Sequence, residues 1–362
     1  MSGPALWPRL YQALVHYRQE GASDLHVVGG CAVYPRLDGD LLPPMPSGYT
    51  PNDDEIEIFL RDVCTEYQYA QFKNVWTTDA AYGDAQIGRI RINASCTATG
   101  TALALRYLQD EPPDFPTLGL PPIIAQWTHK PSGLILFSGV TGSGKTTLQA
   151  SLLRYMLQMT SPRVLTLEDP IEYLFADPRV SQHELGRHFI SFEDELAGFM
   201  RRDPDVIMMG EIRSRATAES LLLAAESGHL AMATVHSSDT ARVFDRILGM
   251  FQEDARDLIR VQLAQQLIGI VGLKLVKRKQ APNGKSAGRR AACEILVKND
   301  AIAAAIVNGK KARDIRDAVT NTPQDGMRSL ESFLSELVRN QEIDLETARD
   351  AAERPEELTV GR

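Results

Sequence analysis

Apolar residues in the second half of the chain form short blocks that alternate with helical patterns. The blocks cover residues 134–137, 164–167, 206–209 and 230–235, and a helical pattern follows the first of them at residues 147–159. Short apolar blocks separated by helical segments are typical of a parallel sheet with helices on both faces. After residue 241 the pattern predicts mostly helix.

The first hundred residues show a different pattern, in which short alternating segments follow helical ones. Glycine and proline interrupt the alternation, and Asp38-Gly39 predicts a hairpin turn. The sequence therefore predicts a small mixed α/β unit with an antiparallel sheet. Its helices are expected at residues 6–19 and 53–72, and its strands at residues 26–28, 33–37, 80–82, 87–94 and 101–107.

A proline-rich stretch separates these two patterns. Residues 109–116 contain three prolines and three acidic residues, which disfavour regular structure and stiffen the chain. We therefore predict an N-terminal domain at residues 1–108, a linker at 109–120 and a second domain at 121–362. A length of 362 residues suits two domains, each with its own core.

Composition narrows the class of protein further. With 43% hydrophobic and 24% charged residues, and no apolar run near the roughly 18 residues of a membrane span, the chain is expected to be globular. The N-terminus lacks a basic segment followed by an apolar one, so a cytoplasmic location is expected. Four scattered cysteines form no C-x-x-C pair, which disfavours a zinc site or a disulfide framework. The net charge of −8 disfavours direct binding to nucleic acid.

One segment carries a specific chemical signal. Residues 139–146 read Gly-Val-Thr-Gly-Ser-Gly-Lys-Thr and fill every fixed position of the G-x-x-x-x-G-K-[ST] phosphate loop, between a predicted strand and a predicted helix. Its glycines let backbone N–H groups point at phosphate oxygens, and the lysine neutralises the β- and γ-phosphates. We expect ATP and Mg²⁺ here. The expected nucleotide-binding residues are Gly139, Thr141, Gly142, Ser143, Gly144, Lys145, Thr146 and Thr147, with the Thr146 hydroxyl also a Mg²⁺ ligand.

Three further segments supply candidate acids and histidines. Glu211 follows the apolar block at 206–209, as the metal-binding acid of a Walker B motif does. Three carboxylates, the last of them Glu172, follow the block at 164–167, where a parallel sheet opens its binding crevice. His229 and His236 bracket the block at 230–235, and each is a candidate contact for the γ-phosphate region.

Taken together, GVTGSGKTT, TLEDPIE, DPDVIMMGEIR and AAESGHLAMATVHS stand in the order and approximate spacing of the secretion ATPase superfamily. They resemble the Walker A motif, Asp box, Walker B motif and His box of the type IV pilus retraction ATPases, the PilT family, and the likeness extends to residues 21–26 and 36–39. The resemblance implies a PAS-like N-terminal domain and a RecA-like ATPase domain with a mainly parallel sheet and a helical C-terminal part.

The same resemblance implies a role for each matching residue. Glu172 corresponds to the glutamate that activates water, and Glu211 to the Walker B acid beside Mg²⁺. His229 corresponds to a sensor of the γ-phosphate, and His236 to the second histidine of the His box. Arg213 matches the arginine of a G-E-x-R pattern. From the N-terminal domain, Arg91 and Arg106 match arginines that reach a neighbouring subunit's nucleotide.

For the whole protein, the resemblance implies a cytoplasmic homohexamer, peripheral at the inner membrane, that works on a pilus or secretion platform protein. Three positions depart from the family: residues 301–308 lack two arginines and an acid of a helix linked to retraction, Thr99 replaces an arginine, and residues 277–290 form a longer basic loop. That loop is read either as a solvated hairpin tip or as a contact for acidic lipid or a partner.

Other functions remain open from the sequence. The linker residues 112–121 also resemble those of conjugation and type IV secretion ATPases, which move DNA or protein substrates. Assembly-type pilus and type II secretion ATPases are disfavoured, because most have a longer N-terminal region and a C-x-x-C insertion. A regulatory module that binds nucleotide without hydrolysis is the alternative from another class, and the presence of both Glu172 and Glu211 argues against it.

Overall fold

The computed structural model describes residues 6–37, 40–44, 48–109, 111–279 and 288–359. The predicted turn at Asp38-Gly39 and the tip of the basic loop, residues 280–287, lie outside the described residues. The chain forms two compact units. The first comprises Met1–Glu111, Glu168–Phe175 and Gln182–Ser191, and the second comprises Pro112–Leu167, Ala176–Ser181 and Phe192–Arg362.

The first unit is built on a six-stranded sheet whose neighbouring strands are all antiparallel, in the order β3-β2-β1-β6-β5-β4. Apolar residues of the helices and of the alternating strand positions form one core, which includes Trp7, Phe59 and Ile92. The elements are α1 (Pro8–Gln19), β1 (Asp24–Val28), β2 (Tyr34–Leu37), β3 (Asp40–Leu41), α2 (Asp53–Val63), α3 (Glu66–Val75), β4 (Thr77–Asp84), β5 (Gly88–Thr97) and β6 (Gly100–Tyr107).

The single helix predicted at residues 53–72 is in fact two helices. Thr65 begins the second one with a capping box: its hydroxyl accepts the N–H of Gln68 at 3.2 Å, and the Gln68 side chain accepts the N–H of Thr65 at 3.0 Å. This reciprocal pair satisfies two N–H groups that have no partner within the helix. The chain therefore turns at Cys64 instead of continuing as one helix.

The second unit is organised around a seven-stranded sheet of order β13-β12-β7-β11-β10-β8-β9, in which β12, β7, β11, β10 and β8 run parallel to one another. Every residue of β7, β8, β10 and β11 is buried, as in a sheet covered on both faces. These are the four predicted strands. The elements are α4 (Ile123–Gln126), β7 (Gly133–Ser138), α5 (Lys145–Met159), β8 (Val164–Glu168), β9 (Val180–Glu184), α6 (Phe192–Phe199), β10 (Val206–Met209), α7 (Arg215–Glu226) and β11 (Leu230–Val235).

The C-terminal part is mostly helical, as predicted, but it also holds two long strands that the pattern did not predict. These strands, β12 and β13, pair antiparallel along nine residues each, and β12 extends the parallel sheet beside β7. Side chains on β12 are buried on both faces, so the alternation that marks a half-exposed strand is missing. The elements are α8 (Arg242–Leu248), α9 (Arg256–Gln266), β12 (Leu267–Lys277), β13 (Arg289–Val297), α10 (Asp300–Val307), α11 (Ala312–Asn321), α12 (Leu330–Arg339) and α13 (Leu345–Ala351).

The proline-rich stretch predicted as a linker packs in part on the second unit. Arg154 of α5 donates to the carbonyl of Pro112 at 2.7 Å and pairs with Asp114 at 3.0 Å. Phe115 is buried, with its ring 5.9 Å from that of Tyr155. The predicted domain boundaries at 108 and 121 stay a prediction.

Among the described residues, no helix combines the length and the apolar character needed to cross a membrane.

Candidate functional site

The phosphate loop joins the end of β7 to the start of α5, as the sequence predicts. Gly139, Gly142 and Gly144 all have positive φ angles, of 146°, 77° and 94°, which only glycine adopts without strain. Lys145 opens the helix, is 6% exposed, and its Nζ donates to the carbonyls of Gly139 at 2.9 Å and Val140 at 3.0 Å. The loop thus curls around the lysine ammonium group.

The shape of the loop fits a bound phosphate. A Cβ at Gly139 would lie 2.4 Å from the Ser143 hydroxyl and 2.6 Å from the Leu273 carbonyl, so the backbone can follow this path only with glycine. The Ser143 hydroxyl is buried and has no hydrogen-bond partner among the described residues. The N-terminus of the 15-residue helix α5 faces the same loop and favours an anion.

Glu211 lies just beyond β10, at the same edge of the sheet as the phosphate loop. The edge is the same because β7, β11 and β10 are parallel and the loop follows the end of β7. The Glu211 carboxylate accepts a hydrogen bond from Arg213 Nε at 2.8 Å and lies 3.3 Å from His236 Nε2. The Thr234 hydroxyl donates to the carbonyl of Gly210 at 2.5 Å, which fixes the backbone before Glu211.

His236 therefore belongs to the site. Partial burial lowers the pKa of its imidazole, the Lys145 ammonium group lowers it further, and Glu211 opposes both effects. The imidazole is thus expected to be neutral near pH 7, able to donate one hydrogen bond and accept another.

His229 lies at the opposite edge of the sheet. It directly precedes β11, and its carbonyl accepts the N–H of Gly133 at the start of β7, whereas the phosphate loop begins after Ser138 at the end of β7. A six-residue strand spans roughly 17–20 Å. The ring of His229 instead contacts the carbonyl of Ala224 at 3.1 Å. The expectation that His229 reaches the γ-phosphate in this loop is therefore wrong.

Glu172 belongs to the segment Glu168–Phe175, which packs within the first unit. Its carboxylate lies 3.7 Å from Arg91 Nη1, and Arg91 also contacts Asp79 at 3.5 Å. Arg91 and Arg106 are directly opposite each other on β5 and β6, so they share one face of the sheet. Arg106 pairs with Asp24 at 2.7 Å. The first unit thus brings Glu172 and Arg91 together, and the role of the two arginines at a neighbouring subunit stays a prediction.

Two residues that the sequence did not single out hold the backbone beside Glu172. Arg89 Nη2 donates to the carbonyl of Ile171 at 2.6 Å, and the Glu184 carboxylate accepts the N–H of Ile171 at 3.1 Å. Arg89 stands two positions before Arg91, on the same face of β5. This two-residue spacing from Arg91 was the sequence signal that could have placed Arg89 beside Glu172. Nothing in the sequence connects Glu184 to this segment.

The donor set suits Mg²⁺. Thr146 contributes a hydroxyl oxygen and Glu211 a carboxylate, and Mg²⁺ typically takes one or two protein oxygens while phosphate and water complete its shell. Thr146 and Glu211 thus stay the residues predicted to hold the ion, whose positive charge would neutralise the phosphates.

Comparison with known proteins agrees with this geometry. Residues 83–343 match the family model for type II/IV secretion system proteins. The type IV pilus retractation ATPase PilT of Pseudomonas aeruginosa is 30% identical over 351 residues, covering 95% of this chain and 98% of that one. A twitching motility protein of Neisseria gonorrhoeae is 30% identical over 335 residues, covering 91% and 86%.

A solved structure extends this likeness to the fold. A crystal structure of the pilus retraction motor PilT with bound ADP matches with a TM-score of 0.82 and 32% identity, covering 96% of this chain and 98% of that one. The predicted fold class, a mixed α/β chain with a RecA-like ATPase domain and a mainly parallel sheet, is thereby confirmed. The chain belongs to the type II/IV secretion system protein family, in which it is a PilT-like secretion ATPase.

Proposed function

We propose that this protein is a homohexameric motor that couples ATP hydrolysis to type IV pilus retraction. The observation that carries the proposal is the similarity to PilT along nearly the full length of both chains, because the phosphate-loop region alone would also fit other ATPases. The motor would act from the cytoplasm, peripheral at the inner membrane, on a platform protein of the pilus machinery.

Each site residue has a defined task in this proposal. Lys145 and the loop N–H groups hold the β- and γ-phosphates, and Glu172 takes a proton from the attacking water. Glu211 accepts a hydrogen bond from Arg213 and lies 3.3 Å from His236 Nε2, and these two contacts would orient its carboxylate toward the ion. Arg91 and Arg106 supply positive charge to the nucleotide of an adjacent protomer when the ring closes.

Steady-state phosphate release tests the catalytic assignment. We expect the Glu172→Gln variant to hydrolyse ATP roughly 100-fold more slowly than the unaltered protein, because the amide cannot accept the proton. Its affinity for ATP should change little. Glu219→Gln is the matched control, since Glu219 is a half-exposed glutamate of α7 whose carboxylate pairs with Arg215 at 2.8 Å. Equal rates in the unaltered protein and in Glu172→Gln would remove the catalytic assignment.

Two further measurements test the motor. Light scattering on the purified chain with ATP is expected to give six copies, and a stable monomer under all nucleotide conditions contradicts the ring. In cells, deletion of the gene should produce excess pili that the unaltered gene corrects and the Glu172→Gln gene does not. Bald cells would instead indicate pilus assembly, and unchanged pili with lost substrate transfer would indicate a conjugative role.

A further inference from the structure

The residue before Glu172 is held at both of its backbone polar groups by charged side chains. Arg89 Nη2 donates to the carbonyl of Ile171 at 2.6 Å, and Glu184 Oε2 accepts its N–H at 3.1 Å. The Ile171 side chain is itself 4% exposed, which provides a third anchor. The direction of the Glu172 side chain depends on this backbone, since Glu172 is the next residue along the chain.

The two charged side chains also stabilise each other. Arg89 Nη2 lies 3.9 Å from Glu184 Oε2, and the carboxylate of Glu184, with a side chain only 3% exposed, also pairs with Arg187 Nε at 3.2 Å. Arg187 in turn donates to the carbonyl of Ala81 at 3.2 Å, on β4 of the same unit. The anchor is therefore tied to the sheet that carries Arg91, not to the segment alone.

Arg89 is poorly placed to act on a ligand directly. Its side chain is 18% exposed, and burial lowers the pKa of its guanidinium, with Glu184 and Glu168 opposing the effect. A buried guanidinium costs free energy unless its hydrogen bonds are specific. Its Nη2 atom is committed to the carbonyl of Ile171 and lies 3.9 Å from the Glu184 carboxylate, an ion-pair distance.

We propose that Arg89 and Glu184 are positioning residues of the ATPase, which set the direction of the Glu172 carboxylate by fixing the peptide groups of Ile171. The inference rests on the proposed role of Glu172. Arg91 contacts the Glu172 carboxylate itself, whereas Arg89 and Glu184 act one residue earlier and only through the backbone.

A double-mutant cycle on kcat distinguishes a positioning role of Arg89 from a general effect on stability. Arg89→Gln should lower kcat roughly 10- to 100-fold, the scale expected for a displacement of about 1 Å, and leave the KM for ATP within about threefold. In the Glu172→Gln background, where residual turnover is followed with radiolabelled ATP over long incubations, Arg89→Gln should cause no further loss. Arg18→Gln is the control, because Arg18 also donates to a backbone carbonyl in the first unit, that of Leu108 at 2.9 Å.

The outcomes are distinct. An unchanged kcat in Arg89→Gln, an equal loss in both backgrounds, or an equal loss in Arg18→Gln overturns the inference. If Arg89→Gln does not fold, Arg89→Lys takes its place. The inference is supported if Arg89→Lys lowers kcat at least threefold in the protein with Glu172 but not in the Glu172→Gln background. An unaffected kcat in Arg89→Lys overturns the inference. If Glu172→Gln alone hydrolyses ATP at the unaltered rate, the proposed catalytic role of Glu172 is wrong, whatever the result for Arg89.

Discussion

Glu294 offers the sharpest prediction about stability, because a carboxyl group lies buried in the second unit. The residue, on β13, is 6% exposed, and one of its oxygens accepts the N–H of Thr240 at 3.0 Å. Burial raises the pKa of this carboxyl to about 7; the hydrogen bond from the Thr240 backbone N–H lowers it, Asp239 raises it and Arg316 lowers it. A cavity of about 20 Å³ beside it is also lined by charged side chains, among them Asp239, Arg316, Lys274, Glu331 and Glu353.

The size of the effect follows from the two pKa values of the carboxyl group. In the unfolded chain the pKa of this carboxyl has its ordinary value of 4.5, so between about pH 4.5 and pH 7 the folded protein keeps a proton that the unfolded chain has released. The stability contributed by the protonated form is complete below pH 4.5 and is lost as the pH rises through 7. Glutamine carries no such proton, and its carbonyl oxygen can still accept the Thr240 N–H. We therefore expect Glu294→Gln to be more stable than the unaltered protein by about 1 kcal/mol at pH 5 and about 3 kcal/mol at pH 8.

Denaturant unfolding of both proteins at a series of pH values measures this difference. Subtracting the two free energies of unfolding at each pH removes the contribution of every group that the variants share. Glu219→Gln is again the control, because it makes the same substitution at a half-exposed position of α7 outside the buried cluster. A gap between Glu294→Gln and the unaltered protein that stays constant, or narrows as the pH rises, would refute the reasoning.

Three further substitutions test the second unit. Gly139→Ala should abolish binding of a fluorescent ATP analogue, because its Cβ would meet atoms at 2.4 and 2.6 Å, whereas Gly228→Ala, with φ of 96° but open space around it, should retain binding. Gln149→Leu should lower the free energy of unfolding by about 2 kcal/mol, because the buried amide donates to the backbone carbonyls of two central strands, and unchanged stability would contradict this. His236→Gln should lower kcat more than it changes the Kd for ATP, because the imidazole orients Glu211; a larger effect on binding would contradict that role.

The parts of the site that lie within one continuous segment of the chain could be predicted from the sequence. The phosphate loop is such a segment, since its glycines, Lys145 and the flanking strand and helix follow one another directly. The sequence also contained the signal for the break between α2 and α3, because Thr65 and Gln68 stand at capping-box spacing. The periodic apolar pattern of residues 53–72 concealed that signal, since the pattern continues across the turn.

The strands that the sequence pattern did not predict are those whose structure depends on pairing between segments distant in the chain. Residues 267–277 form an apolar run directly after helix α9, and such a run does not distinguish a buried strand from a buried helix. Pairing with β7 on one side and β13 on the other makes it a strand. The error at His229 has another cause: successive strands of the sheet are parallel, so only residues that follow a strand reach the edge with the phosphate loop. That rule was available from the predicted sheet and selects His236 over His229.

The position of Glu172 at the end of a strand does not by itself predict which side chains surround it. Glu172 also follows a strand, β8, yet the segment around it packs within the first unit. There Arg91 contacts the Glu172 carboxylate, and Arg89 and Glu184 hold the backbone of Ile171, the preceding residue. The acid proposed to activate water is thus oriented by side chains from a different part of the chain than those that bind phosphate. Substitutions at Arg89 or Glu184 are therefore expected to change the direction of the Glu172 carboxylate while leaving the contacts of Lys145 with the carbonyls of Gly139 and Val140 unchanged.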